Sequence, residues 1–200
     1  MTGKPKIVKN MTKDKHFAPY DRINRFLLPI VPKKLRPNHL TFFRLIVSPV
    51  LIILLAGHQY LYSLILFVVL AVTDMLDGSL ARLRNQITDW GKIWDPVADK
   101  VLIGIVVVML LLEVNLALTV LLVAFEMAFI LGGSFIRMKM KDVEISANVW
   151  GKIKMNLQCL GAVFLMLGAI LSWNLFIPLA QVFLYLSLFF AALSMLRKGI

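Results

Sequence analysis

Asp74, Asp77, Asp95 and Asp99 are the residues whose type and spacing could do chemistry. Asp74 and Asp77 stand three apart and Asp95 and Asp99 four apart, so each pair shares a helix face. A polar stretch around Asn85–Asp89 separates the pairs, and a hairpin centred there would bring them to similar depth. Residues 61–72, just before Asp74, are an almost unbroken apolar run. Carboxylates at the end of such a run cost roughly 2.5–3.5 kcal/mol each to insert, so they face a bundle interior or a wet cavity. Four converging negative charges must protonate, pair with cations or bind metal. A donor set made only of oxygens favours Mg²⁺ or Mn²⁺, and no His or Cys lies nearby to argue for zinc. Gly78 and Ala81 leave room on the acidic face, Gly91 opens the second acidic helix, and Arg82 and Lys92 add positive charge. Carboxylates, divalent metal and Arg together suit a ligand carrying phosphates. Metals clamp a pyrophosphate, and a spare carboxylate takes a proton from an attacking hydroxyl. Asp89 falls off this pattern and reads as a solvated turn residue.

The elements that hold these groups must be membrane helices. The chain has 200 residues, of which 60% are hydrophobic, with a net charge of +11 and a mean hydropathy of +0.82. An ordinary globular chain is about 45–50% apolar. The composition excludes a soluble enzyme, a disordered tail and a secreted disulfide scaffold. A nucleic-acid partner would account for the charge but not for the oil. The single Cys159 lies in an apolar run and reads as a small packing residue. Residues 1–44 hold 11 Lys and Arg against 2 Asp and Glu, so most of the net charge is a basic N-terminal arm. That arm lacks the apolar core of a signal peptide. Six apolar stretches are long enough to span, at about 39–57, 60–84, 92–113, 116–137, 151–172 and 174–196. Residues 19–32 carry Tyr20, Ile23, Phe26, Leu27 and Ile30 on one helical face with charges opposite, the pattern of a helix lying in the interface. The expected fold is therefore an all-α integral membrane protein of six transmembrane helices with an N-terminal amphipathic interfacial helix. Residues 1–36 form the arm and 37–200 the six-helix domain. The Lys and Arg gather at one set of loops and ends, which assigns both termini and the acidic site to the cytoplasm.

Two further features have both a bland and a chemical reading. Arg137, Lys139, Lys141, Lys152 and Lys154 satisfy the charge rule for topology, but they would also suit a phosphorylated substrate. Glu126, inside the fourth span, lines a polar cavity or makes a structural hydrogen bond or dimer contact.

The run from Asp74 to Asp99 reads D-x2-D-G-x2-A-R-x8-G-x3-D-x3-D. It resembles the signature of the CDP-alcohol phosphatidyltransferases at all eight positions: Asp74, Asp77, Gly78, Ala81, Arg82, Gly91, Asp95 and Asp99. RPNHLTFFR, with Pro37, Asn38, Thr41 and Arg44, and GKIKMNLQ, with Gly151, Lys152, Lys154 and Gln158, resemble the same family. The resemblance covers most of residues 35–196 and is closest in character to the bacterial branch that makes phosphatidylglycerophosphate. It implies transfer of a phosphatidyl group from CDP-diacylglycerol, or a related CDP-lipid, to an alcohol, with release of CMP. It implies a two-metal site held by Asp74, Asp77 and Asp95. Asp99 would be the base, and also a metal contact. Gly78, Ala81, Arg82 and Gly91 would line the CDP pocket, and a homodimer is implied. Glycerol 3-phosphate is the expected acceptor, its phosphate met by Arg44, Arg137, Lys139, Lys152 and Lys154, with Arg44 alternatively facing the carboxylates for charge balance. Inositol phosphate or serine would use the same chemistry. A divalent-cation transporter is the alternative of another class, but the carboxylates cluster near one face and no internal repeat is visible.

Overall fold

The computed structural model describes residues 37–83, 88–139, 149–172 and 175–198. The arm, the expected interfacial helix at 19–32 and Lys141 lie outside the described residues. Everything described is helix and short turns, with no strand. The helices are α1 (Pro37–Val47), α2 (Val50–Ala56), α3 (Tyr60–Leu83), α4 (Asp89–Leu111), α5 (Leu116–Lys139), α6 (Val149–Leu171) and α7 (Phe176–Lys198).

The expected first span is two helices. Pro49 has no N–H to continue the ladder, and the Ser48 hydroxyl turns back to the Arg44 carbonyl at 2.7 Å. The chain re-forms helix at Val50 through Leu51 N–H to Ser48 O and Ile52 N–H to Pro49 O, both 3.0 Å. A left-handed residue, His58 (φ 57°), then closes the turn into α3. Helix α4 starts at Asp89, earlier than the apolar pattern suggests. Thr88 caps it, its hydroxyl accepting from the Gly91 N–H at 3.0 Å.

Among the described residues, four helical stretches are long and apolar enough to cross a membrane: Asn38–Ala56, Tyr60–Ala81, Val149–Leu171 and Phe176–Met195. In α5 the apolar run begins at Leu116, and its described part reaches Leu131. Helix α4 falls short of this measure because Asp89, Lys92, Asp95, Asp99 and Lys100 crowd its first half.

Leu51, Phe67, Leu70, Val106, Met166 and Leu184 are fully buried at the centre of one apolar core shared by α2, α3, α4, α5, α6 and α7. Helices α6 and α7 approach most closely where glycine permits it. A Cβ on Gly161 would lie 2.8 Å from Leu184 Cγ, and one on Gly168 2.9 Å from Ile177 Cγ1. Small residues at such crossings let lipid-embedded helices gain packing contact. Phe164 of α6 stacks on Phe183 of α7 with 5.4 Å between ring centres. This pair buttresses α3 and α4, and α1 packs across both of them at the acidic level.

Candidate active site

Three helices build the acidic centre. Helix α3 supplies Asp74 and Asp77 from its last third, and α4 supplies Asp95 and Asp99 from its first half. Helix α1 supplies Thr41 and Arg44, one turn apart on the face that packs against them. Arg44 is completely enclosed. Its Nη1 lies 2.7 Å from Asp74 Oδ1 and also pairs with Asp99 Oδ1, while Nη2 lies 2.5 Å from Asp77 Oδ2. Among the described residues, its Nε has no hydrogen-bond partner. The Thr41 hydroxyl donates to Asp95 Oδ1 at 2.7 Å and stands 3.4 Å from Asp77 Oδ2. The convergence expected from spacing is present: each of the four aspartates is bound to Arg44, to Thr41 or to both.

A second tie fixes the start of α4 against α1. The Thr88 hydroxyl donates to Asn38 Oδ1 at 2.8 Å while it caps Gly91. Gly91 is buried at this junction, and a Cβ there would lie 3.2 Å from Thr88 Oγ1, 3.4 Å from Asp95 Oδ2 and 3.5 Å from Asn38 Oδ1. A side chain at 91 would press on the cap and on an acidic residue together. Gly78 and Ala81 are half-buried beside the α3 aspartates. Arg82, Arg137 and Lys139 lie on helical backbone, but their side chains are outside what is described.

Two members of the basic cluster, Lys152 and Lys154, have described side chains, and they point differently. Lys152 is exposed, whereas Lys154 turns inward and is 4% exposed. Its Nζ donates to Glu126 Oε1 at 2.5 Å and lies 4.6 Å from the centre of the Phe129 ring. Gln158 Nε2 donates to the same Oε1 at 2.9 Å, and Lys100 Nζ stands 3.7 Å from Oε2. One carboxylate thus joins α4, α5 and α6. It lies at the polar side of a groove of about 400 Å³ whose other walls are apolar, among them Val101, Val108, Val123 and Ile130. Gly104 lines the groove, and a Cβ there would meet nothing within 4 Å.

Sequence reasoning did not include Thr41, Asn38 and Thr88 among the site residues. A signal for two of them was present: positions 38, 41 and 44 recur at three-residue spacing, one face of a helix. Thr88 gives no such signal, since its role depends on where α4 begins.

The donor set fits a hard divalent cation. Four carboxylates face one guanidinium, which leaves a formal −3 at a mostly enclosed centre. Enclosed charge of that size calls for further cations. Two divalent ions would turn it into +1, the sign that attracts a diphosphate. Among the described residues no three side chains already stand as a metal cage; Arg44 lies between them.

Known proteins share this arrangement of sequence. The profile of the family described as CDP-alcohol phosphatidyltransferase matches residues 34–193. A CDP-diacylglycerol–glycerol-3-phosphate 3-phosphatidyltransferase of Rickettsia typhi is 35% identical over 136 residues, which is 66% of this chain and 76% of that one. An enzyme of the same name from Mycoplasma pneumoniae is 30% identical over 156 residues, covering 64% and 69% of the two chains. That of Aquifex aeolicus is 51% identical over 65 residues, 32% of this chain and 36% of its own.

Proposed function

Because the chain belongs to the CDP-alcohol phosphatidyltransferase family, we propose that it transfers the phosphatidyl group of CDP-diacylglycerol to glycerol 3-phosphate and releases CMP. The relatives named for that reaction support the acceptor. The observation that carries the chemistry is the gathering of four aspartates from α3 and α4 around Arg44 and Thr41 of α1.

Each residue then has work to do. Asp74, Asp77 and Asp95 would hold a pair of divalent ions, and Asp99 would also contact metal. Mg²⁺ or Mn²⁺ bound there supplies the positive charge that steadies the diphosphate and the departing CMP. Asp99 takes the proton from the acceptor hydroxyl as its oxygen attacks the phosphatidyl phosphorus. Thr41 fixes the rotamer of Asp95. Gly78, Ala81 and Gly91 keep the nucleotide face flat, and Arg82 reaches the diphosphate. Arg137, Lys139 and Lys152 serve the acceptor phosphate, whereas Arg44 is held by the aspartates and Lys154 by Glu126 instead of the acceptor role expected for them. The apolar groove between α4, α5 and α6 suits the acyl chains of the lipid.

In this reading α1 and α2 together, then α3, α4, α5, α6 and α7, make six membrane crossings. Residues 37–200 are the catalytic domain. Residues 1–36, with an interfacial helix at 19–32, rest on anionic lipid headgroups. Both termini and the aspartates face the cytoplasm, and the family resemblance supports a homodimer.

The test is CMP release by the purified protein with CDP-diacylglycerol, Mg²⁺ or Mn²⁺, and glycerol 3-phosphate, inositol phosphate, inositol or serine in separate reactions. Release with glycerol 3-phosphate is expected. Release only with another acceptor would refute this choice, and release with none would refute the enzyme. Asp99→Asn is expected to lower turnover by roughly 10²–10⁴-fold, the usual worth of a general base, while CDP still binds.

A further inference from the structure

Arg44 Nη1 touches Asp74 Oδ1 and Asp99 Oδ1 at once, so it bridges a carboxylate of α3 to one of α4. A cation between those two oxygens would need the same point. Oxygen ligands stand about 2.0–2.1 Å from Mg²⁺, which leaves no room for a guanidinium nitrogen between them. The arrangement with Arg44 inserted is therefore exclusive of one with a bridging metal. Consistent with this, no three side chains among the described residues form a ready cage.

A displaced guanidinium needs a new anion, because its side chain is wholly enclosed. The anion that arrives with the metal is the diphosphate of the donor. Arg presents a planar fork that matches phosphate oxygens. Its Nε is idle in the carboxylate-bound arrangement, and a phosphate would give that N–H a partner.

We infer that Arg44 is a tethered counter-ion: it holds Asp74, Asp77 and Asp99 together without metal, yields them when a divalent ion binds, and moves onto the donor diphosphate. The inference rests on the metal-binding role proposed above. It makes Arg44 a positioning residue that couples metal loading to donor binding, and it predicts effects of opposite sign. Removing the guanidinium takes away a competitor of the metal and a ligand of the diphosphate together. A merely structural Arg44 would weaken both when lost.

The experiment uses the full chain in detergent. Mn²⁺ binding is followed by the electron paramagnetic resonance of the free ion, and CDP binding by equilibrium dialysis at saturating Mn²⁺. Arg44→Gln is expected to bind Mn²⁺ roughly tenfold more tightly, because charge-assisted bonds no longer compete. It should bind CDP roughly tenfold more weakly. Equal or weaker Mn²⁺ binding by Arg44→Gln would overturn the inference and leave the metal site standing. If the wild type binds no Mn²⁺ that Asp95→Asn removes, the metal assignment itself falls, and the inference with it. Should Arg44→Gln fail to fold, Arg44→Lys provides the measurement. One ammonium cannot span three carboxylates as the fork does, so both shifts should appear with the same signs and smaller size. Wild-type values for both ligands would overturn the inference.

Discussion

Thr41 shows how one hydroxyl can matter among four formal charges. It is 1% exposed, and its only proton goes to Asp95 at 2.7 Å. Thr41→Val keeps the shape and removes the donor, leaving Asp95 free to rotate. A lost bond to a charged partner costs about 1.5–3 kcal/mol. Turnover is expected to fall by at least about tenfold, with the KM for CDP-diacylglycerol little changed and Thr41→Ser restoring most of the rate. Steady-state CMP release checks this. Glu126 repeats the pattern one layer away. Its carboxylate collects Lys154, Gln158 and Lys100 from two other helices. That pairing explains why a lysine expected at a loop end is nearly buried. A positive side chain follows the nearest desolvated carboxylate before it follows the charge rule for loops.

At the scale of the elements, the periodic features were legible and the long-range ones were not. The i, i+3 and i, i+4 spacing of the aspartates announced two acidic faces, and the polar stretch near Asn85 announced that they would meet. The third wall of the site is α1. Its contacts with the aspartates join residues 30–55 positions apart, which no local period encodes. The break at Ser48–Pro49 was hidden for a related reason: apolar residues continue on both sides of it, so hydropathy runs through a proline that the hydrogen-bond ladder cannot cross. The ends of α4 also escaped, since a threonine cap weighs little against an apolar pattern. The α6–α7 crossing makes a prediction of its own. Gly161→Ala would press a methyl to 2.8 Å from Leu184 Cγ. Overpacking of this kind costs about 1–3 kcal/mol. A lower melting temperature in detergent is expected, partly recovered by Leu184→Ala in the same chain.

For the whole molecule, charge and oil divide the labour. The oil makes the bundle, and the arm carries most of the net +11. The proposed orientation can be read by labelling. In a Cys159→Ser background, Gln86→Cys and Ser146→Cys should react with an impermeant thiol reagent only from the cytoplasmic side. His58→Cys and Val114→Cys should react only from the other. The reverse pattern would invert the topology. The net charge on its own pointed to any polyanion. The motif from Asp74 to Asp99 and the family it marks narrow that, in the proposed reaction, to a CDP-linked lipid.

Gly104 has a consequence for what the groove admits. Nothing stands within 4 Å of the side chain it lacks, so neither neighbouring packing nor a tight turn demands glycine there. In a helix interior, glycine is less favourable than alanine by about 0.8–1.0 kcal/mol. The bundle tolerates that loss and keeps one wall of the groove flat. On the proposed role of the groove as the acyl-chain site, bulk at this position would act as a dial for lipid selection. Alanine should raise the melting temperature and leave the headgroup chemistry alone. Leucine or phenylalanine should shift the preference toward donors with shorter or straighter tails, making a single site about one and a half turns beyond Asp99 on α4 a means to change which phospholipid the membrane receives.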